Sequence, residues 1–162
     1  MIVAPAPAAL LDSNVLIAIL AEEHEHHTAS IELMKHPAPS RFCIADHSYA
    51  EAFTTLTRRG ERAPYRREPD DARIALESLS ALTRLVGLTP AQTLDAVRTY
   101  AASGGVGARI NDWLIGKAAA AAGAGSIVTW NLGHMRSLFP DLLVQTPTEF
   151  VASRLSGSVT RQ

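Results

Sequence analysis

Leu10-Leu11-Asp12-Ser13-Asn14 is the stretch whose reading decides the fold. The run Ala8–Leu11 is apolar and only as long as a buried strand, and it stops at a carboxylate. Ser13 to Leu20 then reads as the start of a helix. A short buried strand that turns at once into a helix begins an α/β unit. Four similar runs follow, at Phe42–Ala45, Arg84–Leu88, Ser126–Thr129 and Leu142–Gln145. Helical spacing separates them. One helix is expected over His24–Lys35 and ends at His36-Pro37, because a residue before proline avoids the helical region. A second, capped by Asp46 or Ser48, runs through Leu56 and stops near Gly60. A polar loop over 61–69 leads to a helix from Pro69 to about Leu82, and Thr89-Pro90 opens one to about Ala102. Ile110 to Ala122 is alanine-rich helix that Gly123-Ala124-Gly125 terminates. Asn131 caps a turn of helix holding Met135, and Pro147 opens the last one. Helices alternating with short apolar strands predict a three-layer α/β/α fold with a mainly parallel sheet. The expected organisation is a single domain over 1–155 and a short polar tail over 156–162.

Composition narrows the classes. The 162 residues are 47% hydrophobic and 19% charged, too apolar for a disordered chain. No apolar run reaches the ~20 residues of a membrane span, and Asp12 and Asn14 break the longest one near the start. The N-terminus lacks the basic segment and the uninterrupted apolar stretch of a signal peptide. A single cysteine, Cys43, allows no internal disulfide and fits a reducing cytoplasm, the expected location. A net charge of -1 argues against coating nucleic acid by bulk charge, while leaving room for a local basic patch.

In parallel α/β sheets, function collects at the carboxyl ends of the strands. Asp12 ends the first strand, Glu51 lies in the helix after the second, and Asp112 begins the helix before the fourth. Each alone has an ordinary explanation: an N-cap, a solvated first-turn acid, a helix-dipole partner. Together they put three carboxylates at one end of the sheet. Converging carboxylates repel, and a hard divalent cation such as Mg²⁺ or Mn²⁺ relieves that cost and suits phosphoryl chemistry. The fourth strand end, Thr129-Trp130-Asn131, offers a hydroxyl and an amide in place of a fourth acid.

These residues carry a family resemblance. The chain resembles the PIN-domain ribonucleases, in particular the VapC-type toxins of bacterial toxin–antitoxin pairs. It does so through Leu10-Leu11-Asp12-Ser13-Asn14, Ser48-Tyr49-Ala50-Glu51, Asn111-Asp112-Trp113-Leu114-Ile115, Ile127-Val128-Thr129-Trp130-Asn131-Leu132 and Pro147-Thr148-Glu149-Phe150, in that order. The resemblance implies Asp12, Glu51 and Asp112 as catalytic and metal-binding acids, with Asn14, Thr129 and Asn131 in support. Asn131 falls where many members carry a further aspartate, so one tightly held Mg²⁺ and a second recruited with substrate are expected. The implied activity is endonucleolytic cleavage of RNA by in-line attack of water. The implied partners are RNA, a small antitoxin covering the acidic pocket, and a second copy in a homodimer whose apolar helix faces lie near 24–35 and 46–59. A non-catalytic RNA- or protein-binding module on the same fold is the alternative, and a phosphohydrolase of small esters is a third reading.

Other constellations weigh less. Arg58, Arg59, Arg62, Arg66 and Arg67 crowd one loop with Tyr65 and could grip phosphates; a solvated loop explains them equally well. Glu22-Glu23-His24-Glu25-His26-His27 lacks the spacing of a zinc helix and reads as an exposed helix start. His134, just after the Asn131 turn, reads as a surface histidine near the site. Gly116-Lys117 has no phosphate-loop pattern before it. Cys43 reads as a packed thiol.

Overall fold

A computed structural model describes the chain from residue 5 to residue 157. The strands are β1 (Ala9–Leu11), β2 (Phe42–Ala45), β3 (Arg84–Val86), β4 (Ile127–Val128) and β5 (Val144–Gln145). The α-helices are α1 (Ser13–Leu20), α2 (His27–Ile31), α3 (Asp46–Thr57), α4 (Pro69–Leu82), α5 (Pro90–Ala102), α6 (Ile110–Ala121), α7 (Leu132–Leu138) and α8 (Pro147–Gly157). Every strand pair is parallel, in the order β3-β2-β1-β4-β5. β1 is central, with Leu10 opposite Cys43 on one side and Ile127 on the other.

Alternation along the strands builds the three layers. Ala9, Leu11, Phe42, Ile44 and Val128 join α1, α3, α4 and Phe150 of α8 in one core. Leu10, Cys43, Ala45, Ile127 and Val144 join Ile115, Ala118 and Ala119 of α6 and Met135 of α7 in the other. Helix α5 is tied to α6 where the Trp113 indole donates to the Ala96 carbonyl at 2.9 Å. Cys43 is buried, and burial pushes its thiol up to about 11, as a packing residue requires. Gly123 ends α6 at φ +67°, where only glycine is unstrained.

The expected elements appear with five differences. The helix expected over His24–Lys35 is reduced to α2 and a following 3₁₀ turn, Glu32–Lys35. Its first turn is lost because the His24 imidazole Nδ1 accepts the His26 amide at 3.0 Å, giving that N–H a partner outside a helix. β3, β4 and β5 are shorter than the apolar runs that predicted them, since hydrophobic patterning marks burial more sharply than ladder pairing. Neither residue expected to cap α3 does so: Ala45 holds the N-cap position, Asp46 is the first helical residue with its Oδ1 accepting the adjacent His47 amide at 2.7 Å, and the buried Ser48 hydroxyl has no partner among the described residues. Asn131 flanks α7 without a capping hydrogen bond. Helix α8 continues to Gly157, and residues 158–162 of the expected tail lie outside the described residues.

Candidate active site

Asp12 follows β1 at the middle of the sheet and is 2% exposed, its amide donating to the Val128 carbonyl at 3.0 Å. It is both an N-cap and the centre of a polar network. One oxygen, Oδ1, accepts the Ser13 amide at 2.7 Å and so caps α1. The other, Oδ2, accepts the Thr129 hydroxyl at 2.7 Å and the Asn14 side-chain amide at 3.1 Å. Thr129 sits on the neighbouring strand end because Leu11 pairs with Val128. Its hydroxyl accepts in turn from Asn14 Nδ2 and from the Asn131 amide, each at 3.0 Å. Asn14 Oδ1 then accepts the Trp130 amide at 3.0 Å. These bonds clasp the ends of β1 and β4 and fix where the Asp12 carboxylate sits.

Burial pushes the Asp12 carboxyl up to about 6, and the negative fields of Asp112 and Glu51 add to the rise. The hydrogen bonds from Thr129 and Ser13 work against it. The fold therefore brings Asp112 and Glu51, from two separate elements, into electrostatic reach of Asp12. Glu51, half-buried on α3, faces His47 one turn earlier, with His47 Nε2 at 3.6 Å from its Oε1. Asp112, in the first turn of α6, has its Oδ2 at 2.6 Å from His134 Nδ1 on α7. The Asn131 side-chain amide is 3.2 Å from that same His134 nitrogen. Asn131 thus reaches the acids through His134 and not by direct contact.

Two histidines at the site were not prominent in the sequence. His134 is a half-buried partner of Asp112, not a free surface residue. Its spacing of three from Asn131 on one helical turn was the available signal. His47 carried the corresponding signal, four residues before Glu51. The cluster His24–His27 has a different role. His26 stacks on Trp130 with centroids 4.0 Å apart, and His27 Nδ1 lies 2.9 Å from the Ala18 carbonyl. These rings pin the turn after α1 beside the Thr129–Asn131 loop.

The chemistry of the donors suits a hard cation. Asp12, Glu51 and Asp112 offer only oxygen, and a buried carboxyl that two neighbouring carboxylates help hold above its ordinary range is stabilised as an anion by a bound divalent ion. Among the described residues, no three of His, Cys, Asp and Glu form a group spaced to hold a metal by themselves. Such a donor set matches an ion that keeps much of its water, as Mg²⁺ does.

The five arginines of the basic loop differ in their partners. Arg59 donates to the Arg66 carbonyl at 2.7 Å and pairs with Glu68 at 2.9 Å. Arg66 donates to the Glu61 carbonyl at 2.9 Å, and Arg67 pairs with Glu23 at 3.4 Å. Those three arginines hold the loop together. Arg58 and Arg62 are exposed. No helix among the described residues is long and apolar enough to cross a membrane.

Comparison with known proteins agrees with this architecture. No curated protein matches the chain in sequence. Solved structures do match in fold. VapC20 of Mycobacterium tuberculosis, a sarcin-ricin loop cleaving toxin, superposes with a TM-score of 0.58 at 16% identity, over 74% of this chain and 86% of its own. The DNA-bound VapBC of Salmonella typhimurium gives 0.60 at 21% identity, over 87% and 98%. FitAcB of Neisseria gonorrhoeae gives 0.59 at 17% identity, over 86% and 97%. The PIN domain profile matches residues 9–132, which include β1 to β4 and all three acids. With the parallel sheet centred on β1 and Asp12 at its carboxyl end, the chain belongs to the PIN-domain family.

Proposed function

We propose that the protein is a metal-dependent endoribonuclease and the toxin of a toxin–antitoxin pair. One observation carries the reading: the Asp12 carboxylate is buried at the end of the central strand and fixed there by Thr129 and Asn14, where the charges of Asp112 and Glu51 act on it from two other elements. An isolated structural N-cap has no need of two further acids whose charges act on it from separate elements. When bound, Mg²⁺ would supply positive charge to the reacting phosphate and make water acidic enough to attack. Asp12 and Asp112 are assigned to hold it, with Glu51 ligating it or taking the proton of the attacking water. Asn14 and Thr129 fix the Asp12 carboxylate, and His134 orients Asp112. Water attacks phosphorus in line, the P–O3′ bond breaks, and the products are a 5′-phosphate and a 3′-hydroxyl. With Asn131 standing in place of an acid, Asp12, Asp112 and Glu51 would hold one ion tightly, and a second would have to be recruited with substrate.

The similarity to VapBC and FitAcB supports a small antitoxin as partner, with the complex formed in the cytoplasm. A homodimer is proposed to cover apolar helix faces, since Ile31 and Phe53 are partly exposed on the two faces expected to need cover. The test is cleavage of a defined RNA with Mg²⁺ and with EDTA, beside a generic phosphomonoester. Mg²⁺-dependent, RNA-only cleavage is expected. That no three of His, Cys, Asp and Glu among the described residues are grouped to hold a metal favours one second reading, a non-catalytic module that binds RNA or protein, and RNA binding without cleavage under any divalent ion would select it.

A further inference from the structure

Beside the acids a groove of about 380 Å³ runs along α3, lined by Ser13, His47, Glu51, Thr54, Thr55 and Arg58. Glu51, Thr54, Thr55 and Arg58 fall at i, i+3, i+4 and i+7, so they share one face of the helix. Glu51 marks the end next to the acidic centre, and Arg58 closes the other end about 10 Å away along the axis. No Phe, Tyr or Trp lines the groove, so it lacks the broad platform on which bases stack. The Thr54 hydroxyl donates back to the Ala50 carbonyl, and among the groove's lining side chains Arg58 is the one that carries a permanent positive charge. Arg59 and Arg66 are occupied by bonds within the loop and Arg67 by Glu23 from the turn after α1, whereas the Arg58 side chain is exposed at the groove's end.

We infer that this groove is a phosphate subsite for single-stranded RNA, in which Arg58 grips a backbone phosphate neighbouring the one that is cut. The inference rests on the ribonuclease reading and deepens it. Three carboxylates repel a polyanion wherever the metal does not neutralise them, so a nearby cation is needed to hold the strand in register. A guanidinium suits this better than an ammonium, because its planar fork matches phosphate oxygens in pairs. Contact confined to the backbone makes this subsite indifferent to sequence. The competing explanation is a cation that complements the carboxyl-terminal dipole of α3 and touches nothing else.

The experiment is equilibrium binding of a short fluorescent single-stranded RNA in EDTA, where no cleavage intervenes. Wild type, Arg58→Glu and Arg98→Glu are compared over a range of salt. Arg98 lies on α5 outside the groove and supplies the same change of charge. Arg58→Glu is expected to raise Kd roughly tenfold near 0.1 M salt and to lower the salt slope by about one, while Arg98→Glu stays within about twofold of wild type. Equal affinity of wild type and Arg58→Glu overturns the subsite, as does an equal loss from Arg98→Glu, which would mark bulk charge alone. Loss of affinity for an antitoxin with RNA binding unchanged also overturns it, by assigning the groove to a protein partner. Because binding is read without turnover, a protein that binds RNA through Arg58 yet never cleaves it retains the subsite and rejects the nuclease.

Discussion

His134 Nδ1 lies 2.6 Å from Asp112 Oδ2, and this contact joins α7 to the acid at the start of α6. A carboxylate held from its outer side keeps its remaining lone pairs aimed at the centre it serves, and losing such support commonly weakens metal affinity by roughly 10–100-fold. His134→Ala is therefore expected to raise the Mg²⁺ concentration for half-maximal cleavage about tenfold or more, with the fold intact by circular dichroism. An unchanged Mg²⁺ requirement would mean that His134 only packs.

Thr129 makes the shortest bond to the Asp12 Oδ2 atom and is fully buried, so its hydroxyl cannot be replaced by water. Thr129→Val keeps the shape and removes the donor. Hydrogen bonds to charged groups contribute roughly 1.5–3 kcal/mol, and urea unfolding at pH 7.5 should show a loss of about 2 kcal/mol. The deficit should shrink at pH 4, where Asp12 is protonated and the bond serves a neutral group. A deficit equal at both pH values would contradict the account.

Asp12 also predicts a pH dependence. Its folded value of about 6 lies above the ordinary 3.8, so the folded protein holds that proton more tightly than the unfolded chain does. The corresponding stability is fully present below pH 3.8 and is lost as pH rises through 6, a change of roughly 3 kcal/mol. Other carboxylates titrate in the same range, so the informative quantity is the stability of Asp12→Asn minus that of wild type. Without divalent ions that difference should move in favour of the variant as pH goes from 4 to 7. A flat difference would show that Asp12 titrates normally. Saturating Mg²⁺ should stabilise wild type near pH 7 and leave the variant unmoved.

Gly116 explains how α6 and the end of α7 approach each other. A Cβ built there would run into the Phe139 ring, and Phe139 is itself stacked on Trp113 with centroids 5.0 Å apart. Overpacking typically costs about 1–3 kcal/mol, so Gly116→Ala should lower the thermal midpoint by several degrees. It should also impair cleavage, since Trp113 adjoins Asp112. A variant of wild-type stability would show that Phe139 moves aside freely.

Much of the fold and of the site was legible because hydrophobic patterning and strand-end polarity are local properties of the chain. Leu10-Leu11-Asp12 reads as a strand and its end; Phe42–Ala45, and Thr89-Pro90 before α5, read as directly. What escaped depends on partners distant in sequence. Nothing local to His26 announces that its ring stacks on Trp130, since the two meet only through the fold. The loop arginines look alike in sequence, and they differ because Glu68, Glu23 and two carbonyls engage three of them. Gly116 reads as an ordinary helical glycine until Phe139 is brought against it.

The central claim, that Asp12, Glu51 and Asp112 serve one divalent ion, is tested most directly by titrating Mn²⁺ into the protein and following free ion by electron paramagnetic resonance. Wild type should bind one ion tightly, Asp12→Asn and Asp112→Asn should each lose that binding, and Mg²⁺ should compete for it. Wild-type protein that takes up no Mn²⁺, or an Asp12→Asn variant that binds it as tightly, would contradict the account.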